Sequence, residues 1–159
     1  MKSVLLMVVF IVTVHASFSQ SIPKVKMDDV LKMMDTTTCP LVINFWASWC
    51  KPCIHEIPWF EKNIAALKDK GVKLVLVSLD LPVDYQKNLP EFVQKEKYTS
   101  TVVWLDENNP KVFCKKIDSL WDSSIPVTMM VNNKKNYRQF FNQQLPEPRL
   151  KLELQKLLN

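Results

Sequence analysis

Residues 41–53 read LVINFWASWCKPC, and this stretch decides the fold. Its first part, residues 41–47, is a nearly continuous apolar run, typical of a central strand that is buried on both faces. A helical pattern of apolar residues follows from about residue 51 to about residue 68. Cys50 and Cys53 therefore lie where a buried strand gives way to a helix, and two cysteines at this spacing can close to a disulfide and reopen.

The strand–helix junction favours a reactive thiol at its first cysteine. A helix N-terminus carries about half a positive charge, which stabilises the thiolate, the form of cysteine that attacks disulfides. Cys50 is expected to be the exposed nucleophile with the lower pKa. Cys53, one turn further in and more buried, is expected to be the resolving thiol. The alternative is a static structural disulfide between the same two residues.

The rest of the chain alternates strands with helices after a short extended lead-in at residues 21–26. Residues 81–88 are expected to form a loop. The predicted strands cover residues 41–47, 72–79, 101–105, 127–131 and 137–141, and the predicted helices cover residues 27–34, 51–68, 90–97, 111–120 and 148–158. This order, with a hairpin and a helix at its end, predicts an α/β sandwich with a mixed sheet.

The N-terminus has the composition of an export signal. Lys2 precedes an apolar stretch at residues 4–14, which is too short to cross a bilayer as a helix, since about 20 residues are needed. Small residues follow, and cleavage is expected between residues 16 and 20. The sequence thus predicts a signal peptide at residues 1–19 and one domain at residues 20–159, exported to the periplasm or another extracytoplasmic compartment. The alternative is an uncleaved anchor at the membrane interface.

The distribution of charge argues against nucleic acid as a partner. The net charge is +5, but the lysines are scattered over helices and turns, and no basic patch interleaved with aromatic residues is present. Contact with a membrane is expected only through the transient signal peptide. The mature protein is expected to be a monomer.

These motifs together resemble a known family. The block FWASWCKPC at residues 45–53, Pro58 after the second cysteine, and the sequence IPVT at residues 125–128 ahead of the hairpin resemble the thioredoxin fold. Asn44, Glu56 and the export signal make the chain similar to its extracytoplasmic branch, the TlpA/ResA-like thiol–disulfide oxidoreductases. The resemblance implies a thioredoxin-like three-layer sandwich with helices on both faces of the sheet.

The resemblance also implies a substrate-contact region. Pro126 is expected to follow a cis peptide bond and to lie against the dithiol, which leaves the backbone of Ile125 free to pair with an extended substrate strand. The alternative is an ordinary trans proline at the start of a strand. Trp49 either shields the disulfide and offers substrate an apolar contact, or packs on the surface.

An acidic residue is expected to handle protons at the site. Glu56 shares a helix face with Cys53, and the resemblance implies that it tunes the thiol pKa values or transfers a proton; the alternative is a solvated helix charge. Asn44 stands where cytoplasmic thioredoxins carry a buried acid beneath the resolving cysteine. An amide cannot accept the proton of that thiol. This departure favours Glu56, or water, as the group that accepts the proton.

Two further cysteines have no assigned role. Cys39 precedes the central strand and is expected at the end of the sheet opposite the dithiol, whereas Cys114 lies in the helix before Pro126. They either form a second disulfide or remain free or buried thiols. The two cysteines of the dithiol and His55 would be too few ligands for a closed tetrahedral zinc site. No metal or other cofactor is therefore expected.

The motifs and the resemblance predict an enzyme that exchanges disulfides with protein cysteines, in the reducing direction by family analogy. Its oxidised form would need an upstream thiol electron donor. A thiol peroxidase of the peroxiredoxin type is one alternative, although Ala47 and Ile43 stand where that group carries Thr and Pro. The others are a non-enzymatic metal carrier and a redox-inert binding module.

Overall fold

The computed structural model describes residues 21–159, and the predicted signal peptide at residues 1–19 lies outside the described residues. Strands and helices alternate along this part of the chain. The strands are β1 (Lys24–Val25), β2 (Leu41–Trp46), β3 (Lys73–Ser78), β4 (Thr101–Leu105), β5 (Val127–Asn132) and β6 (Tyr137–Phe141). The helices are α1 (Met27–Thr36), α2 (Lys51–Ala65), α3 (Pro82–Tyr85), α4 (Asn88–Glu96), α5 (Pro110–Ile117) and α6 (Glu147–Leu158). Across residues 21–159, no helix is both long enough and apolar enough to cross a bilayer.

The strands form one mixed sheet in the order β1-β4-β3-β2-β5-β6. The strands β1, β4, β3 and β2 run parallel to one another, whereas β5 is antiparallel to β2 and β6 is antiparallel to β5. In the centre, Phe45 of β2 pairs with Val77 of β3 and with Val127 of β5. The residues that follow β2 and β3 and those that precede β5 therefore meet at one edge of the sheet.

Helices cover both faces of the sheet, which confirms the predicted three-layer α/β architecture. Every residue of β2 is buried, and successive side chains point to opposite faces. Val42 and Trp46 join the core under α2 and α6, and Ile43 and Phe45 join the core under α1 and α5. The apolar run at residues 41–47 therefore contains the central strand β2.

The structure differs from the predicted elements where segments are short. The segment predicted as a loop at residues 81–88 contains α3, which has only four residues and so shows no helical periodicity. The lead-in contains β1, a two-residue strand paired with β4. α4 begins at Asn88, so Pro90 lies inside the first turn, where a missing N–H costs no helical hydrogen bond.

The ends of two helices also differ from prediction. α2 ends at Ala65, and a separate 3₁₀ helix (Lys68–Lys70) leads to Gly71, whose φ of 69° lies in the left-handed region that favours glycine. α5 ends at Ile117 rather than near residue 120. Neither difference moves the strand–helix junction that carries the two cysteines.

Candidate active site

Cys50 and Cys53 form a disulfide at the N-terminus of α2, with their Cα atoms 5.3 Å apart. Cys50 is the N-cap residue, and its sulfur accepts a hydrogen bond from the backbone N–H of Cys53 at 3.4 Å. Cys50 is 5% exposed and Cys53 is fully buried. Cys50 is slightly more exposed than Cys53, as expected. Both are buried, however, so the expectation of an exposed Cys50 is wrong. Both sulfurs lie at the positive end of a 15-residue helix.

The segment 121–126 covers the dithiol from the side of β5. The Ile125–Pro126 peptide bond is cis, and the carbonyl oxygen of Ile125 lies 3.8 Å from Cys50 Sγ. Pro126 is buried and Ile125 is half-buried. Trp121 anchors this segment, because its ring is fully buried and its Nε1–H donates to the carbonyl of Ser124 at 2.8 Å. The fold thus brings residues 50 and 125, far apart in sequence, into contact.

Trp49 stands at the edge of this site with 60% of its surface exposed. The neighbouring aromatic residues Phe45 and Trp46 are fully buried. Trp49 therefore contributes little to the core and leaves an aromatic surface free beside the dithiol.

Glu56 lies one turn after Cys53 and is fully buried, so the alternative of a solvated helix charge is wrong. Its Oε1 accepts a hydrogen bond from Asn44 Nδ2 and its Oε2 accepts one from the backbone N–H of Leu145, both at 2.8 Å. Burial raises the pKa of Glu56 from 4.5 to about 7, against the two hydrogen bonds, which lower it. The carboxyl group can therefore exchange a proton near neutral pH.

Asn44 connects Glu56 to the sheet. Its Nδ2 also donates to Thr128 Oγ1 at 3.0 Å, and its Oδ1 has no hydrogen-bond partner among residues 21–159. Thr128 and Leu145 were missed as site residues by sequence reasoning. Thr128 follows Pro126 closely and could have been considered, but Leu145 acts through its backbone, which leaves no signal in the sequence.

The other two cysteines lie away from the dithiol and are not bonded to each other, so the alternative of a second disulfide is wrong. Cys39 is half-buried just before β2, and Cys114 is buried in α5. Within residues 21–159, no three His, Cys, Asp or Glu side chains are grouped in a way that could hold a metal ion.

The site lies in a segment that matches a known protein family. Residues 18–140 match the model of the family described as AhpC/TSA. The chain belongs to the AhpC/TSA family. Among curated relatives of this AhpC/TSA chain, thiol-disulfide oxidoreductase ResA of Oceanobacillus iheyensis is 50% identical over 40 residues, which are 25% of this chain and 21% of the relative. Sporulation thiol-disulfide oxidoreductase A of Bacillus subtilis is 36% identical over 62 residues, 39% of this chain and 38% of the relative. The matched segments thus span less than half of either relative.

Solved structures show that the AhpC/TSA chain has a thioredoxin fold. A thioredoxin-related protein of Neisseria meningitidis serogroup B superposes with a TM-score of 0.65 at 23% identity, covering 78% of this chain and 89% of that one. A putative thiol:disulfide interchange protein DsbE of Chlorobium tepidum gives 0.61 at 23% identity, covering 79% and 84%. StoA of Bacillus subtilis gives 0.56 at 24% identity, covering 74% and 83%. The fold predicted from residues 44–58 and 125–128 is confirmed.

Proposed function

We propose that this protein is a thiol–disulfide oxidoreductase that exchanges disulfides with the cysteines of other proteins. The observation that carries the proposal is the Cys50–Cys53 disulfide at the N-terminus of α2, with the backbone of Ile125 beside the outer sulfur. The names of the curated relatives, which are thiol-disulfide oxidoreductases, support the same activity. The bonded pair is the oxidised state of the proposed enzyme.

The reducing direction starts from the dithiol. The Cys50 thiolate attacks one sulfur of a substrate disulfide, whose S–S bond breaks, and the released substrate thiolate takes up a proton. Cys53 then loses its proton and attacks Cys50 Sγ, the mixed disulfide breaks, and the second substrate thiol leaves. Two electrons have passed to the substrate, and the Cys50–Cys53 bond has formed. An upstream thiol donor restores the dithiol by the same exchange in reverse.

Glu56 is the proposed proton acceptor for the second step. It lies on the buried face of α2 with Cys53, one turn away. Because burial raises its pKa to about 7, the carboxylate present near neutral pH is basic enough to take the proton of a buried thiol. Asn44, which donates to Glu56, holds the carboxyl group but cannot itself accept the proton.

Trp49 and Ile125 are the proposed substrate contacts. The exposed ring of Trp49 offers an apolar surface, and the half-buried Ile125 brings its backbone to within 3.8 Å of Cys50 Sγ. An extended polypeptide can pair with such a backbone while its own sulfur approaches Cys50. The apolar stretch at residues 4–14 supports export, so the proposed place of action is the periplasm or another extracytoplasmic compartment.

A trapping experiment tests the proposal. Reduced Cys53→Ser protein is mixed with insulin as the disulfide substrate, and the products are separated without reductant. A covalent adduct through Cys50 is expected, because the resolving thiol is absent. The matched variant Cys50→Ser should give no adduct. Equal adduct from both variants, or none from either, would overturn the proposed activity, and peroxide consumption that depends on Cys50 without insulin reduction would favour a thiol peroxidase.

A further inference from the structure

A second buried carboxylate, Asp80, lies beside the loop that leads to Cys50. Asp80 is 3% exposed and follows β3. Both of its carboxylate oxygens accept a hydrogen bond from the backbone N–H of Ser48 at 3.1 Å, and Oδ1 also accepts from the Ser48 hydroxyl. The hydroxyl of Ser78 donates to Oδ2 at 2.7 Å. No ion pair among residues 21–159 includes Asp80, so neutral donors alone satisfy this carboxylate.

The carboxylate is held from the side of the sheet. The backbone N–H of Asp80 donates to Ser78 Oγ at 3.1 Å, and its carbonyl oxygen accepts from Trp104 Nε1 at 2.8 Å. Ser78 is the last residue of β3, and Trp104 is a buried residue of β4. Asp80 is therefore fixed to the ends of two parallel strands and can serve as a rigid support.

The loop that Asp80 holds has little other support. Between Ala47 and Cys50, both buried, Ser48 is half-buried and Trp49 is exposed. The Cys50 N–H closes a turn onto the carbonyl of Ala47 at 3.0 Å, but within residues 21–159 neither Ser48 nor Trp49 belongs to a hydrophobic core cluster. Hydrogen bonds to an ionised carboxylate are stronger than those between neutral groups. The Ser48–Asp80 bonds thus hold the middle of the loop.

We propose that Asp80 is a positioning residue for the dithiol: through Ser48 it holds the loop that presents Cys50 for exchange, without touching either sulfur. The inference rests on the proposed function for its consequence in turnover. The positioning itself concerns the reactivity of Cys50 in the reduced protein, which can be measured without a protein substrate.

The test compares Asp80→Asn with the matched control Ser78→Ala. Ser78→Ala removes two hydrogen bonds of Asp80, one to its carboxylate and one from its backbone N–H, but it leaves both Ser48 donors and the Trp104 contact to the Asp80 carbonyl in place. Each reduced protein is reacted with oxidised glutathione across a range of pH, and the plateau rate at high pH is compared. The plateau reports the fully ionised thiol, so the charge lost in Asp80→Asn no longer affects the fraction of thiolate.

The plateau rate of Asp80→Asn is expected to fall about tenfold, the equivalent of one charge-assisted hydrogen bond, while Ser78→Ala stays within about twofold of wild type. Hydrogen exchange at the Ser48 amide should also become faster in Asp80→Asn. A merely structural Asp80 would lower the urea midpoint and leave the plateau rate of the folded protein unchanged. An unchanged plateau in folded Asp80→Asn, or an equal loss in Ser78→Ala, would overturn the proposal.

A second variant covers the case in which Asp80→Asn does not fold. Ser48→Ala removes only the hydroxyl that donates to Asp80, and it leaves the carboxylate and the Ser48 N–H in place. Its plateau rate is expected to fall about threefold, and a plateau equal to that of wild type would overturn the proposal. If wild type itself fails to react with oxidised glutathione, the proposed function fails; if wild type reacts and the variants match it, only the role of Asp80 fails.

Discussion

The two pairs of cysteines in this chain have different environments. Cys50 and Cys53 are bonded at the N-terminus of α2, next to the buried carboxyl group of Glu56. Cys39 lies before β2, at the other end of the strand that leads to the dithiol, and Cys114 is buried in α5. The two pairs therefore differ in that only Cys50 and Cys53 lie at a helix N-terminus beside a buried carboxyl group, which is the environment that the proposed exchange needs.

Cys114 shows what burial alone does to a thiol. Its side chain is fully buried, and this burial raises the pKa of the thiol, against a hydrogen bond from Ser123 that lowers it. A thiol with a raised pKa has less thiolate and reacts slowly. Cys50 and Cys53 are also buried, but unlike Cys114 they lie at a helix N-terminus, the positive end of the helix dipole.

The largest expected effect separates the two pairs directly. Cys50→Ser should lower the rate of insulin reduction by at least about a thousandfold, because the nucleophile is lost. Cys39→Ser is the matched control and should keep the wild-type rate, since Cys39 lies at the opposite end of β2 from the dithiol. A steady-state assay with dithiothreitol as donor measures both variants. Comparable losses in the two variants would remove the distinction between the pairs.

The next effect concerns Glu56, the proposed proton acceptor. The pKa of Glu56 is about 7 in the folded protein and 4.5 as its ordinary value, so the folded state binds an extra proton between these pH values. The free energy of unfolding should therefore fall by about 3 kcal/mol as the pH rises from 4.5 to 7, and then level off. Glu56→Gln should lack this contribution, and it should also shift the pH dependence of thiol alkylation.

Urea unfolding of the oxidised proteins at several pH values measures the difference between wild type and Glu56→Gln. Glu91→Gln, on the exposed face of α4, is the matched control and should follow wild type. If the curves of wild type and Glu56→Gln run parallel across this range, and alkylation is unchanged, Glu56 has no role in proton transfer.

A smaller effect tests the structural nature of Cys114. Cys114→Ala should lower the free energy of unfolding by about 1–2 kcal/mol, because it removes a buried sulfur and leaves a cavity. Cys39→Ala, at a half-buried site, should change it by less than about 0.5 kcal/mol. Both variants should reduce insulin at the wild-type rate. A loss of turnover in Cys114→Ala without a loss of stability would contradict the purely structural assignment.

The smallest expected effect is on substrate binding next to the dithiol. Trp49→Ala should raise the KM for insulin about fivefold, with kcat within about twofold, because an exposed aromatic contact is lost. Its stability should change by less than about 0.5 kcal/mol. Val112→Ala, another exposed apolar residue, is the matched control. Reduced stability at an unchanged KM would assign Trp49 to surface packing.

The α/β class and the dithiol could be predicted from local pattern, and the thioredoxin-like arrangement of the layers could be predicted from the family resemblance. The apolar run at residues 41–47, the helical spacing after Cys50 and the sequence at residues 125–128 each carry their own signal. The succession of strands and helices along the chain was also predicted, although α3 and β1 were too short to be predicted.

The surroundings of the dithiol depend on contacts between distant parts of the chain. Glu56 could be placed on the face of Cys53 by spacing, but its burial depends on Leu145, which lies 89 residues later. Asp80 reaches Ser48 only because β2 and β3 are neighbours in the sheet. Cys50 was expected to be exposed, and its burial follows from the segment around Ile125. Such contacts are properties of the folded chain and leave no local pattern.

The most direct test of the central claim is a redox titration of the native protein in glutathione buffers, read by mass spectrometry after alkylation of free thiols. A single reversible two-hydrogen change located at Cys50 and Cys53 is expected, with Cys39 and Cys114 remaining thiols throughout. No two-hydrogen change at Cys50 and Cys53, or a reversible change that instead involves Cys39 or Cys114, would contradict it.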